Sequence, residues 1–166
     1  MTQHIAVALS GGRDSTVAAS LLLSPSSEIV GLHVLMIDSS HALEQCEQAR
    51  SAARLLRIPF EVVDLIREFS QRVVDPFCRE YAAGRTPNPC IVCNREIKLG
   101  LLLHHARALG ADRLATGHYA RLEQGEDGPR LLRAADRLAD QSYFLYAVRR
   151  ASLERVLTPL GTITRA

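Results

Sequence analysis

The chain has 166 residues, is 47% apolar and 23% charged, and carries a formal net charge of +2. Those values suit one soluble α/β domain with its own core, and they are short for two. No apolar run approaches the roughly 20 residues of a membrane helix, residues 1–4 open no secretory leader, and eight Tyr and Phe with no Trp leave little for a surface that stacks many bases.

Residues 5–9 form a short apolar run of strand length, ending in Ser10-Gly11-Gly12-Arg13-Asp14-Ser15. Residues 16–23 read as a helix halted by Ser24-Pro25. Residues 29–37 are rich in Val, Ile and Leu without clean alternation, as in a parallel strand covered on both faces. Residues 42–56 place Leu43, Cys46, Ala49, Ala53 and Leu56 at helical spacing, and residues 60–65 predict a third strand. A helical pattern follows over 66–83 in spite of Pro76. Residues 84–89 form a loop with two prolines. Residues 94–109 predict a strong helix closed by Gly110. Residues 113–116 predict a fourth strand, 121–133 a hairpin turning at Gly125-Glu126-Asp127-Gly128, and 141–148 and 152–157 two further helices. Strands alternating with helices from residue 5 to 116 predict an α/β fold with a doubly wound parallel sheet and right-handed crossovers. No internal repeat or linker divides the chain, so residues 1–166 read as one domain.

Ligands of an open parallel sheet bind beyond the carboxyl ends of its strands. Ser10–Ser15, Asp38 and Gly117 fall at those ends. In the Ser10–Ser15 loop, Gly11 and Gly12 let the backbone approach an anion, and the following helix offers free N–H groups. Ser10, Ser15 and Thr16 add hydroxyls. Asp14 suits an anion site only with a Mg²⁺ between it and phosphate oxygens. The loop lacks the Gly-Lys-Ser/Thr ending of a Walker A motif; read alone, it is either a phosphate cradle or a simple turn.

Cys90 and Cys93 form a Cys-x-x-Cys pair in a chain read as cytoplasmic and reduced. Placed just before a helix at Asn94, with Arg95 and Lys98 nearby, Cys93 reads as an activated thiol. A zinc half-site and a redox pair are the alternatives. Cys46 and Cys78 fall on helix faces and read as small buried hydrophobes. Lys98 is the one lysine among 20 basic residues. Between Arg130 and Arg155, six Arg stand against Asp136, Asp140 and Glu154, which is either a weak nucleic-acid face or solvated charge.

The Ser10–Ser15 loop resembles the pyrophosphate loop of the PP-loop ATP pyrophosphatases. Residues 84–98, Gly-Arg-Thr-Pro-Asn-Pro-Cys-Ile-Val-Cys-Asn-Arg-Glu-Ile-Lys, resemble the signature of the tRNA-specific 2-thiouridylases within that superfamily. Ala115-Thr116-Gly117-His118-Tyr119-Ala120 and Asp140-Gln141-Ser142-Tyr143-Phe144-Leu145-Tyr146 fit the same family in order. The resemblance implies an adenine-nucleotide α-hydrolase-like domain that uses Mg-ATP to adenylate the wobble uridine of tRNA and then replaces O2 by sulfur. It implies an ATP site at Ala8, Leu9, Ser10, Gly11, Gly12, Arg13, Asp14, Ser15, Val34 and Gly117, with Asp14 on the metal. It implies Cys93 as nucleophile, Asn88, Pro89 and Cys90 against the target base, and Ala139, Asp140 and Gln141 against tRNA. A persulfide donor protein is the implied partner, and an iron–sulfur cluster held partly by Cys90 and Cys93 stays open. Arg13 stands where the family usually has Val, and no cysteine follows Cys93 to match the family's second one. The chain thus reads as the N-terminal part of a longer enzyme. A non-catalytic ATP- or tRNA-binding remnant and another PP-loop ligase are the rival readings.

Overall fold

The computed structural model describes residues 2–165. Its main sheet has five strands: β1 (Gln3–Ala8), β2 (Ser27–Leu35), β3 (Phe60–Asp64), β4 (Arg113–Ala115) and β7 (Val156–Leu157). They lie in the order β3-β2-β1-β4-β7, and every pair is parallel. A separate antiparallel hairpin joins β5 (Ala120–Gly125) to β6 (Gly128–Arg133). The predicted doubly wound sheet and hairpin are both present.

Alternation along β1 divides the core. Ile5 and Val7 face one layer, where they meet Ala19 of α1 (Arg13–Ser20) and Ala49 and Ala53 of α2 (Ser40–Leu56). Ala6 faces the other layer, with Leu32, Leu114 and, from α6 (Leu102–Ala108), Leu102, Leu103 and Ala106. The small residues at 6, 49, 53 and 106 are fully or almost fully buried and let helices sit close to the sheet. Burying a leucine such as Leu32 or Leu102 contributes on the order of 1.5–3 kcal/mol.

Two helical stretches are composite. α3 (Ile66–Phe69) runs through a π-helical stretch, Ser70–Val74, into α4 (Asp75–Ala82). Pro76 falls just where the hydrogen-bond ladder changes, so its missing N–H is tolerated. α5 (Pro89–Cys93) likewise continues through π-helical Asn94–Leu101 into α6. This moves the start of the predicted 94–109 helix back to Pro89. Asn88 caps it, its Oδ1 accepting from Cys90 N at 3.1 Å, and Pro89 stands at the first position.

The C-terminal expectations need correction. Residues 141–148 form only a 3-10 turn, Ser142–Leu145, and the helix expected over 152–157 is instead α7 (Arg150–Leu153) followed by β7. Two residues are too few to show strand alternation. Val156 and Leu157 pair with Leu114 and Ala115, a tertiary event. No helix among the described residues is long and apolar enough to cross a membrane.

Candidate functional site

The strand order reverses at β1, which has β2 on one side and β4 on the other, so the loops leaving β1 and β4 diverge and open a crevice. A cavity of about 300 Å³ lies there. Ala8, Leu9, Ser10, Asp14, Ser15, Val34, Gly117 and Gln141 line it, together with Met36, Gln45, Lys98, Thr116 and His118. Gly11, Gly12 and Arg13 belong to the same loop without lining the cavity.

The loop holds its shape by local bonds. α1 begins at Arg13, three residues earlier than its pattern suggests, and this brings Ser15 into the first turn. Ser15 Oγ accepts from Ser10 N at 3.2 Å and donates to Gly12 O at 3.0 Å. Thr16 Oγ1 also donates to Gly12 O, at 3.1 Å. These hydroxyls shape the loop rather than stand free. Gly12 is the N-cap and no side chain caps the turn, so the dipole end and its N–H groups remain available. Gly11 has φ 81°, and a Cβ there would stand 2.7 Å from Gln45 O. A Cβ on Gly117 would stand 2.9 Å from Ser15 N and 3.0 Å from the Asp14 carbonyl carbon. The two loops therefore touch backbone to backbone, and only glycine fits at 117.

Asp14 is engaged. The Tyr119 hydroxyl donates to its Oδ1 at 3.4 Å, Arg165 Nη2 lies 3.2 Å from Oδ2, and Arg13 Nε lies 3.7 Å from Oδ1. Burial and the adjacent Asp14 charge raise the Tyr119 phenol above its ordinary range, which keeps it a donor. On the far wall His33 Nδ1 donates to Leu9 O at 2.8 Å and ties β2 to the loop. His118 Nδ1 pairs with Thr116 Oγ1 at 2.9 Å. Burial, assisted by the Lys98 charge, pushes the imidazole down to about 4, so His118 is neutral at physiological pH. Lys98, Thr116, Met36 and Gln45 line this cavity although their sequence positions alone assign them no place in it. Being the only lysine was the one available signal for Lys98.

Cys93 departs from expectation. It lies at the end of the first turn and a half of a helix that starts at Pro89, not at a helix start, and it is buried. Burial pushes its thiol above the ordinary cysteine range; the Lys98 charge pulls it down and Cys90 pushes it further up. Cys93 Sγ donates to Met36 Sδ at 3.8 Å, and Met36, not Cys93, lines the cleft. The thiol is close to this cavity, but it is buried and held towards its protonated form. Cys90 is exposed near the helix start, and Cys78, expected buried, is exposed as well. Cys46 is buried as expected. Among the described residues no three His, Cys, Asp or Glu side chains gather as a metal site, so Cys90 and Cys93 alone do not supply a cluster's full ligand set.

The segment 139–141 faces inward. Ala139 packs beside Tyr119 and Leu160. Burial would raise the Asp140 carboxyl, but donors from Ala134 N and from Ser142 outweigh it and hold the carboxyl below the ordinary range. Gln141 exchanges two bonds with the Tyr119 backbone. Asn94, next to Cys93, donates through Nδ2 to Phe144 O at 3.1 Å, while its buried Oδ1 has no partner among the described residues. The arginines of 130–155 are not one face. Arg149 and Arg155 join Arg72, Arg95 and Arg107 around a separate open hollow.

Curated relatives include proteins named tRNA-specific 2-thiouridylase MnmA from Syntrophotalea carbinolica, 47% identical, and Geobacter metallireducens, 45% identical, each matched over 98% of this chain and 48% of the relative. The chain spans about half the length of these relatives. Among solved structures, the U34-tRNA thiolase NcsA from Methanococcus maripaludis with its [4Fe-4S] cluster matches 70% of this chain and 38% of its own, with TM-score 0.52 and 25% identity. A predicted subunit of tRNA methyltransferase from Methanocaldococcus jannaschii shares the fold over 95% of this chain and 68% of its own, with TM-score 0.59 and 18% identity. The family described as tRNA methyl transferase HUP domain matches residues 3–166, and the chain belongs to that family.

Proposed function

We propose that this chain is the ATP-using part of a tRNA 2-thiouridylase. One observation carries the reading: a preformed anion-binding loop and a cysteine just behind the same cleft wall, in a chain 47% identical to a relative of that name. The phosphates of ATP lie over the Ser10–Ser15 loop, where backbone N–H groups and the end of α1 receive negative charge. Val34 faces the adenine side and Gly117 closes against the nucleotide. One carboxylate, Asp14, suits Mg²⁺ held jointly with phosphate oxygens, the usual arrangement for that ion; bound there, Mg²⁺ would offset phosphate charge. Arg13 and Arg165 now occupy that carboxylate, and an ATP complex displaces at least one of them.

The uridine O2 attacks the α-phosphorus, the bond to pyrophosphate breaks, and pyrophosphate leaves. The terminal sulfur of a donor cysteine persulfide then displaces AMP at C2, AMP leaving with the former uridine oxygen. The Cys93 thiolate attacks the donor cysteine's inner sulfur, so the S–S bond breaks, 2-thiouridine is released and a disulfide between Cys93 and the donor cysteine takes up the oxidation. Asn88, Pro89 and Cys90 stand at the helix start for the base, and 139–141 for the tRNA. Four free cysteines fit a reducing, cytoplasmic setting. A second reading, binding of ATP and tRNA without sulfur transfer by this chain alone, is favoured by the buried Cys93 thiol, held towards its protonated form.

The test uses the full chain with Mg-ATP, a persulfide donor and tRNA whose wobble uridine carries ¹⁸O at O2. The expected result is tRNA-dependent release of pyrophosphate and AMP bearing the label. ADP and orthophosphate as products would contradict the adenylation chemistry. Labelled AMP without thiouridine would favour the second reading.

A further inference from the structure

Lys98 acts on His118 and Cys93 through its charge, and its own surroundings are unusual. It is the only lysine among 20 basic residues, and it sits half-buried on the π-helical stretch Asn94–Leu101. It lines the cleft with Ser10, Asp14, Thr116 and His118. Among the described residues it makes no ion pair with any Asp or Glu. The arginines nearest the loop, Arg13 and Arg165, are instead held on Asp14. A half-buried ammonium that pairs with no carboxylate has its donors to offer a bound anion. The widened helical turn that carries it is a recurrent feature of functional sites. An ammonium also differs from a guanidinium: it is compact and its three donors can follow a moving phosphate oxygen.

We propose that Lys98 is the cleft's own phosphate-binding cation, contacting the phosphate oxygens of the nucleotide from the helical wall while the Ser10–Ser15 loop holds them from the β1 side. The inference rests on the nucleotide reading above. The same ammonium acts on two neighbours from one position: it opposes protonation of His118 and favours ionisation of Cys93 against the effect of burial. Its charge reaches His118 and Cys93, and Asp14 lines the same cleft. As pyrophosphate departs, negative charge grows on the leaving oxygens, and a fixed cation there stabilises that state more than the ground state.

Lys98→Met keeps the aliphatic stem and removes the charge; Lys98→Arg keeps the charge. Calorimetry on the full chain compares Mg-ATP, Mg-pyrophosphate and adenosine. Lys98→Met is expected to weaken Mg-ATP and Mg-pyrophosphate by about tenfold or more, to leave adenosine nearly unchanged, and to raise the His118 titration midpoint read by NMR. Lys98→Arg should restore that midpoint and part of the phosphate affinity. Unchanged pyrophosphate affinity in Lys98→Met would overturn the proposal. So would an equal loss for adenosine, since it would mean that Lys98 only packs the wall. A wild-type chain that binds none of the three would overturn the nucleotide reading and this inference with it.

Discussion

The Ser10–Ser15 loop and the cysteine helix lie on two walls of one cleft, and they differ in what shapes them. The loop is shaped mainly by bonds within the seven residues Ser10–Thr16, among Ser10, Gly12, Ser15 and Thr16, with close backbone approaches to Gln45 and Gly117 and the His33 bond to Leu9 O added from outside. The chemistry of Cys93 is set by what covers it: Met36 from β2's end, Ile97 beneath, and the charge of Lys98. Local bonding makes the first region legible as geometry. Reactivity in the second is a tertiary property, and helix position alone gave the wrong sign for it.

The largest expected effect breaks the loop contact. In Gly117→Val, side-chain atoms would press on the Ser15 and Asp14 backbone, so α1's first turn must move. A displacement of that kind should lower Mg-ATP affinity by about 100-fold, measured by calorimetry, with melting temperature checked alongside. Native affinity would show that the two loops do not bind the nucleotide together.

Asp14→Ala should come next. Affinity for ATP with Mg²⁺ present should fall to the level seen without it, because phosphate charge loses its bridge to the protein. An unchanged affinity removes Asp14 from the site.

Alkylation sharpens the contrast on the other wall. Near pH 7, Cys90 and Cys78 should label first, with Cys46 and Cys93 lagging. The lag of Cys93 behind Cys90 should be about tenfold or more. Met36→Ala should shorten it by uncovering the sulfur. Cys93 labelling first in the wild type would restore the activated-thiol reading that the structure contradicts.

The smallest effect concerns acid. The unfolded chain protonates His118 at the ordinary histidine pKa, whereas the folded form resists protonation down to about 4. The folded pKa is lowered, so stability is intact above the unfolded value and falls as pH drops from about 6.5 towards 4. His118→Gln should flatten that part of the profile by about 1 kcal/mol, a figure reduced for its partial exposure. Urea unfolding at several pH values reads it, and identical profiles would remove His118 as the cause.

Short apolar runs and turn chemistry are enough to see β1 through β4 and the β5–β6 hairpin. The residues expected around ATP at 8–10, 14, 15, 34 and 117 do line a common cavity, because a parallel sheet gathers its strand ends. Three things stayed hidden for physical reasons. The start at Pro89 is masked because a proline-flanked Asn88 reads as loop until its cap bond to Cys90 N is formed. β7 was too short to carry a period. The inward bonding of Asp140 and Gln141 depends on Ala134 and Tyr119, which are adjacent only in the fold.

The central claim is that nucleotide phosphates bind at the β1–β4 crevice. Its most direct measurement is titration of Mg-ATP into the ¹⁵N-labelled chain, followed by amide shifts. Saturable shifts should centre on residues 10–15 and on Gly117, with little change at Arg107 and Arg149 around the separate basic hollow. Shifts confined to that hollow, with residues 10–15 unmoved, would contradict the claim.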